Sequence, residues 1–161
     1  YKVGANYAGG LLATKLAQEV GANEALYLDS KEARYIDEAG SANILICTKD
    51  DVLLTPKSDA ILPSITRRSI MTLAQGQLGM STQERPIDLR AEFSTFQEAA
   101  ACGTAAVLAP IGKIWFDGQW HDVGDAGSNV GPTMQQVYDL LVGIQRGELE
   151  DEHGWCHEVS I

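Results

Sequence analysis

Three short stretches of the chain bring together residues that could do chemistry. Lys2 stands directly before a glycine-rich turn, Gly4-Ala5-Asn6-Tyr7. An amine beside so small a turn can be reached by a flat ligand, although an unpaired lysine is ordinarily a solvated one. Ile65-Thr66-Arg67-Arg68 opens a segment of helical period. Free amides at a helix start, joined by a threonine hydroxyl, bind phosphate well; the same residues also serve as plain caps. Gly103-Thr104-Ala105-Ala106 offers amides on a tight turn without bulky side chains. Such a turn either cradles an anion or packs closely against its neighbours. Glu38 follows a strand-like run and precedes Ala39-Gly40-Ser41. Taken singly, none of these groups selects a reaction.

Other constellations carry less. Gly4, Gly9 and Gly10 lack the GxGxxG order and no strand precedes them, so they are no nucleotide fingerprint. Cys47, Cys102 and Cys156 are odd in number and widely spaced, which argues against a disulfide framework and for a reducing cytoplasm. His153, Cys156 and His157 are too cramped for zinc and have no fourth ligand, so no metal is expected.

The elements that must position these groups are legible from periodicity. Ala8, Leu11, Leu12, Leu16 and Val20 mark one face of a helix from about Asn6 to Val20, stopped at Gly21. Glu24 to Asp29 and Arg34 to Asp37 read as strands. Asn43 to Cys47 and Val52 to Leu54 flank a polar turn as a hairpin that ends at Pro56. Ile65, Ile70, Leu73 and Ala74 predict a helix opening near Thr66. The polar stretch Gly79 to Arg85 leads to a strand near Pro86 to Asp88. Ala99 to Val107 is small and apolar, a buried strand and turn. Lys113 to Phe116 and Gln119 to His121 flank Asp117-Gly118, a second hairpin. Pro132 opens a last helix with Met134, Val137, Leu141 and Ile144 buried. Hairpins mixed with helices, not in regular βαβ units, predict an α/β (mixed α+β) fold: a mixed sheet with helices packed on it.

Composition narrows the function. The 161 residues carry 22 acidic and 12 basic side chains, a net charge of −10. That balance excludes surfaces built to coat nucleic acid or anionic membranes. With 45% hydrophobic and 21% charged residues, the chain folds around a core. No apolar run approaches the roughly 20 residues that span a bilayer, and no signal-peptide pattern is present. The first residue is Tyr1, not methionine, which suggests a piece of something longer.

The order of the stretches is more telling than any one of them. Lys2-Val3-Gly4-Ala5-Asn6-Tyr7, Tyr35-Ile36-Asp37-Glu38-Ala39-Gly40-Ser41-Ala42-Asn43, Ile61-Leu62-Pro63-Ser64-Ile65-Thr66-Arg67 and Ala101-Cys102-Gly103-Thr104-Ala105-Ala106 follow one another. Together they resemble the branched-chain amino acid aminotransferases, which are class IV (fold type IV) pyridoxal-phosphate enzymes. The resemblance covers essentially the whole chain, but only the larger, C-terminal domain of such an enzyme. It implies that residues 1–161 form the cofactor-binding domain, that an N-terminal domain of the same protein is missing, and that the large domain is a pseudo-barrel with packed helices. It further implies at least a homodimer.

The resemblance also assigns roles. Lys2 is similar to the lysine that holds pyridoxal 5′-phosphate as a Schiff base, and Tyr7 to the tyrosine bonded to the cofactor's phenolate oxygen. Glu38 corresponds to the carboxylate facing the pyridine nitrogen, and Leu62 to the leucine on the ring face. Ile65, Thr66 and Thr104 correspond to the phosphate ligands. Thr104, Ala105 and Ala106 form the turn that receives the substrate carboxylate. The implied reaction is transamination of leucine, isoleucine or valine with 2-oxoglutarate, giving branched 2-oxo acids and L-glutamate. It needs an electron sink, which the cofactor supplies, and a lysine that carries the proton. Ser64 stands where the leucine-proline segment commonly has glycine, and Ser41-Ala42-Asn43 lacks an acidic residue that many members carry. The alternatives are a D-amino acid aminotransferase, an aminodeoxychorismate lyase, or a non-catalytic acidic domain that kept the fold.

Overall fold

The protein is represented by a computed structural model that describes residues 4–124 and 130–159. The chain enters through a 3-10 segment, Gly4–Gly10, and continues as helix α1, Leu11–Glu19. The helix expected from Asn6 therefore starts later: Gly9 and Gly10 disfavour the α conformation on entropic grounds, and the chain stays in the tighter turn until they are passed. The stop at Gly21 is as expected. Its φ of +80° lets its own N–H reach Gln18 O at 3.0 Å, while the N–H of Ala22 reaches Ala17 O at 2.9 Å. This paired closure satisfies two carbonyls of the last turn. The leucine stripe is exposed. Leu11, Leu12 and Leu16 are 69, 66 and 53% exposed, and α1 has no buried residue. Periodicity marks which face is apolar; here nothing among the described residues covers it.

Seven strands form one sheet: β1 Leu26–Leu28, β2 Ile36–Ala39, β3 Ala42–Thr48, β4 Val52–Pro56, β5 Ser81–Arg85, β6 Phe96–Gly103 and β7 Val107–Pro110. β3 is the spine. β6 runs along one edge, Asn43 opposite Cys102 through Ile46 opposite Ala99. The other edge is shared in tandem by β2, with Glu38 opposite Asn43, and by β4, with Ile46 opposite Leu54. All pairings are antiparallel except β4–β5, which are parallel and joined through helix α2, Ile65–Gly76. After β5 come the single-turn helix α3, Leu89–Glu92, and, beyond β7, a separate hairpin of β8 Lys113–Phe116 and β9 Gln119–Asp122. Its Asp117 and Gly118 both take positive φ, as a two-residue hairpin turn demands. Helix α4, Pro132–Gln145, closes the fold with Met134, Val137, Leu141 and Ile144 buried, as their spacing predicts. The mixed sheet with packed helices is the expected fold class. No helix among the described residues is long and apolar enough to cross a membrane.

Two strand boundaries differ from expectation. The strand placed over Arg34 to Asp37 lies at Ile36–Ala39, so Glu38 sits inside it rather than after it. The strand placed at Pro86 to Asp88 lies instead at Ser81–Arg85, and the later segment contributes only a bridge between Tyr35 and Asp88. β5 pairs with β4 alone and is largely exposed, so its Ser-Thr-Gln-Glu-Arg composition hides the strand from a hydrophobicity reading.

Both faces of the sheet are covered. Leu45, Cys47, Leu53, Ala100 and Cys102 pack under α2 and α4. Ile44, Ile46, Leu54 and Ala99 pack on the opposite side against Ile36, Ile87, Phe96 and Val123. The first layer contains one buried carboxylate. Glu98 accepts the N–H of Thr133 at 3.0 Å and of Met134 at 2.8 Å, and so caps α4 from across the sheet. Pro132 needs no partner there, having no N–H. A Cβ on Gly131 would lie 2.1 Å from the Glu98 carboxyl carbon, so glycine keeps this approach open. Glu98→Ala strands two helix amides and is expected to lower the unfolding free energy by about 2 kcal/mol. Urea denaturation measures it, and Gly131→Ala is expected to act in the same direction.

The loop leading into β2 is organised by Asp29. Its carboxylate accepts the amides of Tyr35 and Glu32 at 2.7 Å and of Arg34 at 2.9 Å. These bonds, that from Tyr35 foremost, hold its pKa down from 3.8 to about 2. A depressed carboxylate stabilises the fold fully above its unfolded pKa and loses that contribution as pH falls through the folded one. The wild-type protein is therefore expected to lose stability between about pH 4 and about pH 2, and Asp29→Asn to flatten that slope. Urea midpoints across an acid pH series check this.

Candidate active site

The site is organised by register. Cross-strand partners share a face, so Glu38 of β2, Asn43 of β3 and Cys102 of β6 form one row on the face that carries α2 and α4. The neighbouring carboxylate, Asp37, is buried, and across these residues the pairing with β1 is irregular, Leu28 lying opposite Ile36 and Leu26 opposite Ala39. The β2–β3 connection is a two-residue turn at Gly40-Ser41. Gly40 has φ +56°, and a Cβ there would lie 2.3 Å from the Glu24 carboxyl carbon, so glycine is required. That turn fixes the register that places Glu38, half-buried, beside Asn43.

Asn43 is buried, and its Nδ2 donates to Leu62 O at 3.1 Å. This bond ties the segment before α2 to the row. Ser64 then caps the helix: its Oγ accepts the N–H of Arg67 at 3.2 Å. The amides of Ile65 and Thr66, in the first turn, have no acceptor within the helix. Ile65 is 67% exposed, and Leu62 is also exposed. The positive end of the helix dipole thus opens to solvent near Glu38's row.

β6 ends at Gly103, one residue past Cys102, and leads into the turn Thr104-Ala105-Ala106, whose three side chains are exposed. The turn is tight. Gly103 pairs with Val107, Leu108 N–H reaches Ala106 O at 2.6 Å, and Val107 takes φ +58°. A β-branched residue in the left-handed region stores strain. Cys102 is no nucleophile: burial pushes its thiol up to about 12, against the opposing pull of Arg67's charge. Burial raises Cys47 likewise.

Asn43 links Glu38, its cross-strand partner, to Leu62, three residues before Ile65 at the start of α2, and Thr104, Ala105 and Ala106 follow the end of β6, whose Cys102 shares that row. Lys2 lies outside the described residues; Tyr7 lies in the 3-10 segment Gly4–Gly10. Two residues escaped the sequence reading. Asn43 was legible as a polar residue opening an apolar strand run. Arg67 was seen as a helix opener, but its burial was not. His153, Cys156 and His157 are exposed, and Asp151 accepts the amides of His153 and Cys156. No three His, Cys, Asp or Glu side chains among the described residues are grouped to hold a metal. The arrangement suits a flat ligand with an anionic group at one end and a protonated ring nitrogen at the other.

Comparison with known proteins gives consistent matches. A family model described as amino-transferase class IV matches residues 1–114. The branched-chain-amino-acid aminotransferase of Haemophilus influenzae is 45% identical over 99% of this chain and 47% of its own length. The crystal structure of the Escherichia coli branched-chain amino acid aminotransferase superposes with a TM-score of 0.80 at 34% identity, over 96% of this chain and 48% of that one. The corresponding enzyme of Thermobaculum terrenum, in its PLP form, superposes with a TM-score of 0.76 at 30% identity, over 91% and 45%. The chain spans about half the length of the curated relatives it matches.

Proposed function

Because the chain belongs to the amino-transferase class IV family, we propose that it is the cofactor-binding part of a pyridoxal-phosphate-dependent branched-chain aminotransferase. The reaction is amino-group transfer between leucine, isoleucine or valine and 2-oxoglutarate. The observation that supports this reading is the row of Glu38, Asn43 and Cys102 on one sheet face, tied through Asn43 to the segment that opens α2. The residues fit the cofactor. Unengaged amides at Ile65 and Thr66 suit a phosphate dianion, and an acidic side chain on the same face suits a protonated pyridine nitrogen.

Bound there, pyridoxal 5′-phosphate supplies the electron sink that the reaction requires. Ile65 and Thr66 hold the phosphate with their amides, and Thr104 adds its hydroxyl. Leu62 packs on the ring. Glu38 keeps a proton on the pyridine nitrogen by placing negative charge beside it. Tyr7 donates to the phenolate oxygen. Lys2 anchors the cofactor and takes the proton from the substrate α-carbon. Thr104, Ala105 and Ala106 orient the substrate carboxylate. We read the enzyme as cytoplasmic and homodimeric, with the opposing wall of the pocket supplied by further protein. Free thiols at Cys47 and Cys102 support the reducing compartment; sedimentation tests the dimer.

The deciding experiment assays the full-length protein with a panel of L- and D-amino acids and 2-oxoglutarate. Turnover of L-leucine, L-isoleucine and L-valine is expected. Preference for D-alanine marks a D-amino acid aminotransferase, formation of 4-aminobenzoate from aminodeoxychorismate marks the lyase, and absence of a cofactor absorbance band marks a non-catalytic domain.

A further inference from the structure

We propose that Arg67 is the positioning residue of the phosphate subsite, holding the first turn of α2 at the height and angle that aim its amides. The inference rests on the cofactor reading above. Arg67 is one residue past Thr66, yet only 4% exposed. Its guanidinium forks between two strands: Nη1 donates to Pro56 O, at the end of β4, at 3.1 Å, and Nη2 pairs with Glu84 Oε1, on β5, at 3.1 Å. Those strands are neighbours in parallel register, with Thr55 opposite Glu84. The backbone of the same residue is fixed as well, its N–H held by Ser64 Oγ. Three bonds thus immobilise one residue at the helix start.

Burying an arginine is costly, and packing α2 does not require it. Ile70, Leu73 and Ala74 already anchor the helix in the core. What the fork adds is rigidity at one end only, the end with the unengaged amides of Ile65 and Thr66. Sites for a small anion need their donors held within about 0.5 Å. The charge is felt across the site face too, where it opposes the burial effect on Cys102. A lysine has one nitrogen and reaches one of the two acceptors, so it does half the task.

The test uses full-length protein freed of cofactor, titrated with pyridoxal 5′-phosphate and with pyridoxal, which lacks the phosphate. Inorganic phosphate is added separately and read by its thermal stabilisation. Arg67→Met is expected to weaken pyridoxal-phosphate binding about 100-fold and pyridoxal binding by less than about 3-fold, and to abolish the phosphate-induced stabilisation. Arg67→Lys is expected to lose only about 10-fold for pyridoxal phosphate. Equal losses for both compounds assign Arg67 to the fold alone and overturn the proposal, as does unchanged pyridoxal-phosphate affinity. If circular dichroism shows that Arg67→Met does not fold, the same ratio measured on Arg67→Lys decides. A wild-type protein that takes up neither aldehyde overturns the cofactor reading instead. The role of Arg67 is then read from inorganic phosphate alone, whose stabilisation must vanish in the variants for the proposal to stand.

Discussion

Lys2→Ala is expected to abolish covalent retention of the cofactor and to lower turnover by at least about 10,000-fold, the upper range for a positioned acid–base group. The reaction needs an amine that anchors the cofactor and then moves the proton. The chain has six lysines, and the five in the described residues, Lys15, Lys31, Lys49, Lys57 and Lys113, are all exposed. A lysine working near neutral pH must leave bulk water, because desolvation is what disfavours its charged form. None of those five meets that condition among the described residues, and the resemblance of Lys2-Val3-Gly4-Ala5-Asn6-Tyr7 to the family motif points to Lys2. Borohydride reduction of the full-length holoenzyme, followed by peptide mass mapping, is expected to place the label on Lys2. Added methylamine is expected to restore part of the activity of the variant, since a small amine can enter the vacated space and carry the proton. A label on any other lysine, or a variant that turns over normally, removes Lys2 from the mechanism.

How much of this was legible beforehand follows from what each signal measures. Helix periodicity located α4 and its buried residues, and Pro132 marked the opening turn, because core contact and local chemistry agree there. The same periodicity located α1 and its apolar face but not what covers that face, since a hydrophobic stripe is silent about its partner. β5 was missed for the converse reason: an edge strand needs backbone partners, not apolar side chains, and Ser81–Arg85 presents few. Glu38 was placed just beyond its strand. One hairpin, built on a glycine that alone tolerates the approach of Glu24, carries the strand two residues further.

The site was legible as motifs and illegible as geometry. Resemblance named Glu38, Thr66 and Thr104, which are far apart in the chain. The strand register sets Glu38, Asn43 and Cys102 in one row because β2 and β6 flank β3 at the same level, a placement that no motif spacing encodes. Ser64, a departure from the common glycine, turns out to cap the helix that carries Ile65 and Thr66. Asn43 and Arg67 do their work through bonds to backbone carbonyls of Leu62 and Pro56, contacts that no spacing in the sequence encodes.

Glu38→Gln is expected to leave the cofactor bound and to slow the proton shift by about 100- to 1,000-fold, the loss that follows removal of one well-placed electrostatic contact, or roughly 3–4 kcal/mol. A glutamine fills the same space and still offers an oxygen, so binding and fold change little. It carries no charge, so it cannot favour a protonated pyridine nitrogen as a carboxylate does, and the electron sink weakens. The adjacent acid is an internal control. Asp37 is the buried residue beside Glu38 in β2 and has no part assigned to it in holding the cofactor. Asp37→Asn is therefore expected to keep the rate of the half-reaction within about threefold, even if its buried site costs some stability. Rapid-mixing absorbance spectra of the full-length enzyme with L-leucine measure both variants on the same scale. A slow Glu38→Gln beside a normal Asp37→Asn matches the register that sets Glu38 opposite Asn43. If Asp37→Asn is the slow variant and Glu38→Gln reacts at the wild-type rate, Asp37 rather than Glu38 is the carboxylate that serves the cofactor nitrogen.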